Sequence, residues 1–354
     1  MGLPSHCRSH DGVPAAAAGA VTDTLAHVDE TARRERRAQA RRRSEAQRRR
    51  VLAAAGTGIV LALLVIVLVA VGGAGSGGGG DKDGAARSKP PPELPRGGRS
   101  IFPEFRVVGF AGAPQDEALG ELGKGTLDGA ARRLERQARP YSSGPSRPPI
   151  LPAFELIAVI ANASAGDDGK YRTPQKKKVV RDYLAGARRA GALLLLDIQP
   201  GQATFMTEVR RFDEFLAQPD VTVALDPEWH MGEGEVPGQV IGSVTAEEIN
   251  EVAAHLSRIV ARNRLPEKML VVHQFTSDMI ENRSELKRYP GVELVLNVDG
   301  VGDPKLKIDK YKAFMKLRDP ARVGFKLFYE EDTDMLSPRE VRRLRPEPDF
   351  VVYE

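Results

Sequence analysis

Two carboxylates stand two residues apart, Asp226 and Glu228, in the segment Leu225–His230 (LDPEWH) that follows the apolar run beginning at Val221. On an extended strand that spacing sends both side chains to one side. Close like charges push one carboxyl toward its protonated form, and a general acid needs a proton it still holds near neutral pH. Glu228 has the longer side chain and the later position, so it is the expected acid. Asp226 is its expected ionised partner, orienting it or stabilising positive charge. Other chemistry-bearing residues also close apolar runs: Asp197 with Gln199, His273 with Gln274, Asn297 with Asp299, and Tyr329 with Glu330, Glu331 and Asp332. The candidate catalytic set is therefore Asp226, Glu228, Asp197, Asp299 and Glu330. The candidate substrate-binding set is Trp229, His273, Gln274, Asn297 and Tyr329. Trp229 is the only tryptophan of the chain and suits a sugar platform or a loop anchor equally. Lys326 shares its alternation with Phe328 and Glu330, and an inward lysine requires a carboxylate partner. Plainer roles exist for several of these residues. Asp226 before Pro227 suits a turn, a lone strand histidine is often a satisfied core group, and Glu330–Asp332 suits a solvated loop.

The residues that must position this set alternate between two patterns. Eight short apolar runs read as strands: Phe105–Gly112, Phe154–Ala161, Ala192–Ile198, Val221–Pro227, Met269–Phe275, Val292–Val298, Val323–Tyr329 and Asp349–Tyr353. Near-continuous apolar strands separated by helical segments indicate a parallel sheet covered on both faces. The spacing predicts helices over 115–138, 175–190, 202–217, 245–263 and 304–318, and a shorter one over 279–288. Thr245 with Glu248, and Ser337 with Glu340 after Pro338, read as capping boxes. Eight strand–helix units in about 250 residues match the arithmetic of a (β/α)8 TIM-like barrel, whose active site lies at the carboxyl ends of the strands. A doubly wound open sheet is the competitor. Its glycine-rich phosphate turn is poorly matched by GFAGAPQDEALGELG after the first run. The chain ends at the eighth strand, so no eighth helix follows, and residues 85–103 are the segment available to cover the gap.

The Asp-x-Glu at the end of strand four resembles the motif of chitinase-like and muramidase-like glycoside hydrolases. The resemblance implies a (β/α)8 barrel in which Glu228 protonates the glycosidic oxygen and Asp226 orients or stabilises. The chain departs from both types. Thr222 and Ala224 stand where the chitinase type carries further aspartates, and Val107–Phe110 lacks the first-strand aspartate of the muramidase type. The domain, including VVHQF and GFKLFYEED, also resembles a group of actinobacterial secreted barrel proteins of unassigned function.

The N-terminal third reads as a membrane address. Residues 51–80 carry no charge, and Ile59–Val71 is IVLALLVIVLVAV. About 20 apolar residues cross the roughly 30 Å hydrocarbon core. Ten arginines lie between Arg33 and Arg50, which by the positive-inside rule keeps the tail cytoplasmic. The expected layout is an Arg-rich cytoplasmic tail (1–50), a transmembrane signal anchor that contacts the lipid bilayer (51–73), a Gly/Pro-rich linker (74–102) and an extracellular barrel (103–354). A cleaved signal peptide is the alternative, although about 50 residues before the apolar run is long for one.

Charge and cysteine use narrow the function. Residues 1–50 hold 11 basic against 6 acidic side chains, whereas 81–354 hold 41 against 42. The folded part thus has no positive excess, and a nucleic-acid-binding domain is disfavoured. The single cysteine, Cys7, excludes a disulfide framework and a cysteine zinc site. The expected function is a membrane-anchored glycoside hydrolase-like protein acting on a cell-wall or other extracellular polysaccharide, peptidoglycan-type polymers included, with no cofactor and no bound metal. Two other classes fit the same residues. One is a non-catalytic carbohydrate- or cell-wall-binding barrel. The other is a metal-dependent hydrolase using Asp197, Asp226, Glu228, His273 and Asp299 as ligands.

Overall fold

The computed structural model of the chain describes residues 90–354, apart from 143, 145, 146 and 317–319. The expected cytoplasmic tail, the spanning segment 51–73 and the first part of the linker lie outside these residues. Among the described residues no helix is long and apolar enough to cross a membrane.

Eight parallel strands form the framework: β1 (Arg106–Gly112), β2 (Ile150–Ala161), β3 (Leu193–Ile198), β4 (Val221–Leu225), β5 (Lys268–Gln274), β6 (Val292–Val298), β7 (Arg322–Leu327) and β8 (Phe350–Tyr353). Each pairs with the next, from β1–β2 round to β7–β8. β8 then pairs with β1, with Val107 opposite Phe350 and Phe110 opposite Tyr353. The sheet therefore closes, as the eight-strand count requires, and the architecture is a (β/α)8 barrel. A three-residue strand, Arg172–Pro174, lies antiparallel on β2.

The outer layer is less regular than the sequence periodicity suggests. The described helices are α1 (Leu127–Ala138), α2 (Lys177–Arg189), α3 (Phe205–Arg210), α4 (Asp213–Leu216), α5 (Ala246–Asn263), α6 (Pro304–Phe314) and α7 (Pro338–Val341). The stretch 115–138 becomes two 3₁₀ turns before α1, and 202–217 breaks into α3 and α4. The segment 279–288 is not a helix. It gives a two-residue strand, Ile280–Glu281, paired with Val244–Thr245, and a 3₁₀ turn at Arg283–Glu285. Its apolar positions are too few to bury a helical face. Both expected capping boxes form, at Thr245/Glu248 and Ser337/Glu340.

Strand alternation divides the buried apolar residues into two clusters. One joins Val108, Leu194, Val223, Leu270, Leu296 and Val351 to residues of the helices, such as Leu134, Val180, Ile249 and Tyr311. The other takes the intervening strand positions, Val107, Leu151, Leu193, Leu195, Ala224, Met269, Val271, Val295, Phe350 and Val352, and contains no helix residue. This second cluster is the barrel interior. Leu94, Ile101, Phe102 and Phe105 belong to it as well, so the segment before β1 seals the amino-terminal end. Hydrogen bonds hold that seal. Ile101 N donates to Glu267 Oε2 (2.7 Å), Arg99 Nη2 to Leu265 O (2.8 Å) and Arg96 Nη1 to Ile150 O (3.2 Å). Residues 94–102, assigned to the linker by their composition, are therefore part of the folded barrel. They plug its floor.

Candidate functional site at the barrel mouth

The inward positions that continue the interior cluster toward the carboxyl ends of the strands change character abruptly. On β2 the series Leu151, Ala153 leads to Glu155, and on β3 Leu193, Leu195 leads to Asp197. On β4 Thr222, Ala224 leads to Asp226, and on β5 Met269, Val271 leads to His273. On β6 Val295 leads to Asn297 and Asp299, on β7 Gly324 leads to Lys326, and on β8 Phe350, Val352 leads to Glu354. Of these, Glu155, Asp197, Asp226, His273, Asn297, Asp299 and Lys326 are all buried. Only β1, with Ala111, brings no polar group to this layer.

The layer is organised around two cations. His273 Nε2 lies 2.9 Å from Glu155 Oε1 and its Nδ1 lies 3.1 Å from Asp299 Oδ2. Burial pulls the pKa of the ring down, but Glu155 and Asp299 outweigh it and hold the ring well above the ordinary histidine value. The two carboxylates hold the ring toward its charged form, and Asn297 Nδ2 also lies 3.1 Å from its Nδ1. Lys326 Nζ contacts Glu354 Oε2 at 2.6 Å and Asp299 Oδ2 at 3.4 Å, which supplies the carboxylate partners an inward lysine needs. Burial opposes its charge too, and Asp299 and Glu354 reverse that effect. Asp299 joins the two cations and accepts from Gly300 N at 2.5 Å.

The other two carboxyls are pushed the opposite way. Asp226 is raised to about 7, first by burial and then by the charge of Glu228. Asp197 is raised well above the carboxylate range by burial and then by Asp226. Gln199 links the strands here. Its Oε1 accepts from Ala161 N (3.1 Å) and its Nε2 donates to Asp226 Oδ2 (3.2 Å). Among the described residues three buried acceptors of the layer have no hydrogen-bond partner: Glu155 Oε2, Asp197 Oδ1 and Asn297 Oδ1. Gly324 makes room for the last of these, since a Cβ there would lie 2.5 Å from Asn297 Oδ1.

The strand alternation expected for Asp226 and Glu228 ends earlier than the sequence suggests. β4 stops at Leu225, and Pro227 opens a 3₁₀ turn, Pro227–Trp229. Asp226 is buried, while Glu228 and Trp229 in the turn are half-buried at the mouth. The expected acid is therefore the more accessible of the pair, and its partner is the one kept protonated.

Asp197, Asp226, His273, Asn297 and Asp299 come together in this layer, with Glu228 and Trp229 above it. Three other candidates do not. Gln274 is on the outward face of β5, where its Oε1 accepts from Arg283 Nη1 (2.6 Å) and its Nε2 donates to Thr276 O (3.1 Å). Tyr329 stacks on Tyr353 (centroids 5.4 Å apart) and meets the edge of Phe110, packed with the outer cluster. Glu330 is past the end of β7, paired with Lys124 Nζ at 3.1 Å, and its side chain is 64% exposed. Asp332, read as part of a solvated loop, is instead buried: Lys307 Nζ contacts it at 2.5 Å, and the backbone N–H groups of Phe328 and Gly302 donate to it.

Two members escaped the sequence reading altogether. Glu155 is the one charge in the apolar run Ile150–Ala161, and a charge inside such a run is the signal of a paired, buried group. Glu354 is two residues beyond the inward Val352, so alternation alone points it into the barrel.

Both nitrogens of His273 are engaged by carboxylates. Among the described residues no three His, Cys, Asp or Glu side chains converge to hold a metal ion. Of the set weighed for a metal-dependent hydrolase, His273 and Asp299 pair with each other and Asp226 accepts from Gln199.

No protein-family model matches the chain, and no curated protein matches its sequence at a significant level. Among solved structures, a hyperthermophilic endo-β-1,4-glucanase aligns over 71% of this chain and 88% of its own, at 11% identity and a TM-score of 0.38. A GH18 chitinase from Flavobacterium johnsoniae aligns over 71% and 87%, at 8% identity and a TM-score of 0.37. A D-allulose 3-epimerase from Methylomonas sp. aligns over 71% and 84%, at 10% identity and a TM-score of 0.32. At these scores no residue role and no activity carries over. The barrel stands on its own strand register.

Proposed function

We propose that the barrel mouth hydrolyses a glycosidic bond of a cell-wall or other extracellular polysaccharide, with Glu228 as general acid and Asp226 assisting. The observation that carries this reading is the pair itself: a buried Asp226 titrating near 7, raised in part by the charge of a half-buried Glu228 at the mouth. Glycoside hydrolysis needs two carboxyl groups, one protonated and one ionised. Asp226 holds the pair's one proton below about pH 7, and Glu228, the accessible member, takes it up and gives it to the leaving oxygen as the glycosidic bond breaks. Water adds to the sugar carbon, and the proton it loses returns to the ionised pair. We further infer that the barrel is held outside a lipid bilayer by residues 51–73. The support for this is the arginine tract followed by the uncharged apolar run.

The test is turnover on a panel of cell-wall and storage polysaccharides. Glu228→Gln should keep the melting temperature and lose turnover by roughly 10²–10⁴-fold, the share that proton transfer supplies. Asp226→Asn should reduce turnover and remove the pH limb near 7. Full activity in both variants would sink the assignment.

A second reading, a binding barrel without catalysis, is favoured by one observation. His273 and Lys326 are each held between two carboxylates, so much of the layer is already used within the protein. Saturable polysaccharide binding by the wild-type chain without hydrolysis, unchanged in Glu228→Gln, would select this reading.

A further inference from the structure

Gln199 takes the next alternate position after Asp197 and is half-buried at the mouth. Two observations fix its side chain. The first is a break in the ladder between β2 and β3. Ile157 stands opposite Asp197 and Val159 opposite Ile198, so Ala158 is an extra residue, a β-bulge. Past the bulge Gln199 N still donates to Val159 O (3.1 Å), but β3 has ended and Pro200 follows. The side chain of Gln199 takes the donor of β2 that comes next, its Oε1 accepting from Ala161 N (3.1 Å). A backbone N–H can only donate, so it sets which end of the amide faces β2. The second observation is the neighbour on the other side. Asp226 N donates to Ile198 O (3.0 Å), which holds Asp226 beside Gln199, and the free end of the amide, Nε2, meets Asp226 Oδ2 at 3.2 Å.

We infer that Gln199 is a positioning residue: by donating to Oδ2 of Asp226 it fixes that carboxyl and directs the proton to Oδ1. The inference rests on the two-carboxyl reading of the site and names what governs its proton. In a protonated carboxyl the carbonyl oxygen is the better acceptor, so an N–H aimed at Oδ2 leaves the hydroxyl to Oδ1. When the carboxyl ionises, the same bond becomes charge-assisted and strengthens. Gln199 therefore opposes the burial that keeps Asp226 protonated, and eases the release of the proton that Glu228 takes up. An amide suits this place because it joins an acceptor for Ala161 N–H to a donor for Asp226 and carries no charge. A glutamate there would keep the acceptor and, once ionised, would turn a second acceptor toward Asp226.

The experiment is an isotope-edited infrared titration of the purified full-length chain, labelled at the aspartate side-chain carboxyls. The Asp226→Asn chain identifies the C=O band of protonated Asp226. In the wild type that band should fade as pH rises through about 7. In Gln199→Leu the C=O no longer accepts the amide N–H, so the band should move to higher wavenumber. Its midpoint should rise by about one pH unit, the size of a hydrogen bond to a charged group. Gln199→Glu keeps the bond to Ala161 N–H and should raise the midpoint too, because it sets a like charge where a donor stood. If Gln199→Leu unfolds, Gln199→Glu carries the test alone. An unmoved band and midpoint in folded Gln199→Leu, or a wild-type midpoint in Gln199→Glu, would reduce Gln199 to a brace between β2 and β3 and overturn the inference. So would the absence of any band that Asp226→Asn removes. The hydrolase reading fails separately. A chain that cleaves no polymer but shows these shifts keeps Gln199 and loses that reading. An active chain whose pH limb near 7 is unmoved in Gln199→Leu keeps the reading and loses Gln199.

Discussion

The two ends of the barrel interior are built from the same strands with the same alternation, yet they differ in every chemical respect. Toward the amino-terminal end the inward residues are Leu151, Leu193, Met269 and Phe350, sealed below by Leu94, Ile101, Phe102 and Phe105. Four residues further along the same strands the inward residues are Glu155, Asp197, His273 and Glu354. The lower half buries apolar surface, at about 25 cal/mol per Å² removed from water. The upper half buries charges that cancel most of one another and contribute little net stability. Stability and chemistry are thus stacked along one axis, and a substitution should act on one or the other according to its height.

The largest stability effect should come from the floor. Phe350 is fully buried between the seal and the inner strands. Phe350→Ala should cost about 3–5 kcal/mol in denaturant unfolding, the range for a large core deletion. Asp197→Asn, at the other end, removes a buried carboxyl whose Oδ1 has no partner and keeps its shape. It should leave stability nearly unchanged or raise it. Equal losses from the two variants would break the division.

The halves should also respond to pH with opposite signs. Asp226 titrates at about 7 in the folded chain against an unfolded value near 3.8, so the folded state binds the extra proton. Its contribution is fully present below about pH 4 and is lost as pH rises through 7. Lys268 is at the lower rim, where its Nζ donates to Gln218 O (2.8 Å) and Val221 O (2.5 Å), and burial brings its pKa down to about 7 from 10.5. Here the unfolded state binds the extra proton, so stability should rise with pH from about 7 to about 10.5. Each slope should amount to a few kcal/mol across its window. Asp226→Asn should flatten the acid-side slope and Lys268→Met the alkaline one, read as melting temperature against pH. A slope that survives its own substitution would assign it to another group, and for the acid side His273 is the next to test.

The same division explains what the sequence made legible. Strand number and closure follow from eight apolar β-branched runs, because a strand buried on both faces leaves few choices of residue. Asp197, Asp226, His273, Asn297 and Asp299 were visible because each closes its run. Glu155 was hidden by the opposite circumstance: apolar residues flank it on both sides, and run-based reading treats a single charge as noise. Gln274 and Tyr329 were misplaced because a residue at a strand's end can face inward or outward, and a shift of one residue reverses it. The helices were least legible where the outer ring is thin. Residues 279–288 carry polar helix formers without an apolar stripe, and tertiary packing took them into a strand and a turn. The linker composition of 74–102 concealed Leu94, Ile101 and Phe102, whose burial depends on a floor assembled from strands far along the chain.

The smallest effect is expected at Glu330, which stands outside both halves. Sequence alternation put it on the face of Lys326, but β7 ends at Leu327 and the chain leaves the barrel before Glu330. Its carboxylate meets Lys124 Nζ at 3.1 Å, and Lys124 already has Glu121 Oε1 at 2.9 Å. An exposed pair of this kind is worth about 0–1 kcal/mol, and a lysine with a second partner loses less. Glu330→Gln should therefore change unfolding free energy by no more than about 0.5 kcal/mol and leave turnover within about twofold. The contrast with Glu228→Gln is the informative one, because both remove a carboxylate near the mouth and only Glu228 borders the buried layer. If Glu330→Gln instead cost turnover tenfold at unchanged stability, the loop after β7 would have to fold over a bound ligand and release Lys124. The reacting carboxyls would then extend to the outer rim, beyond the layer built on His273 and Lys326.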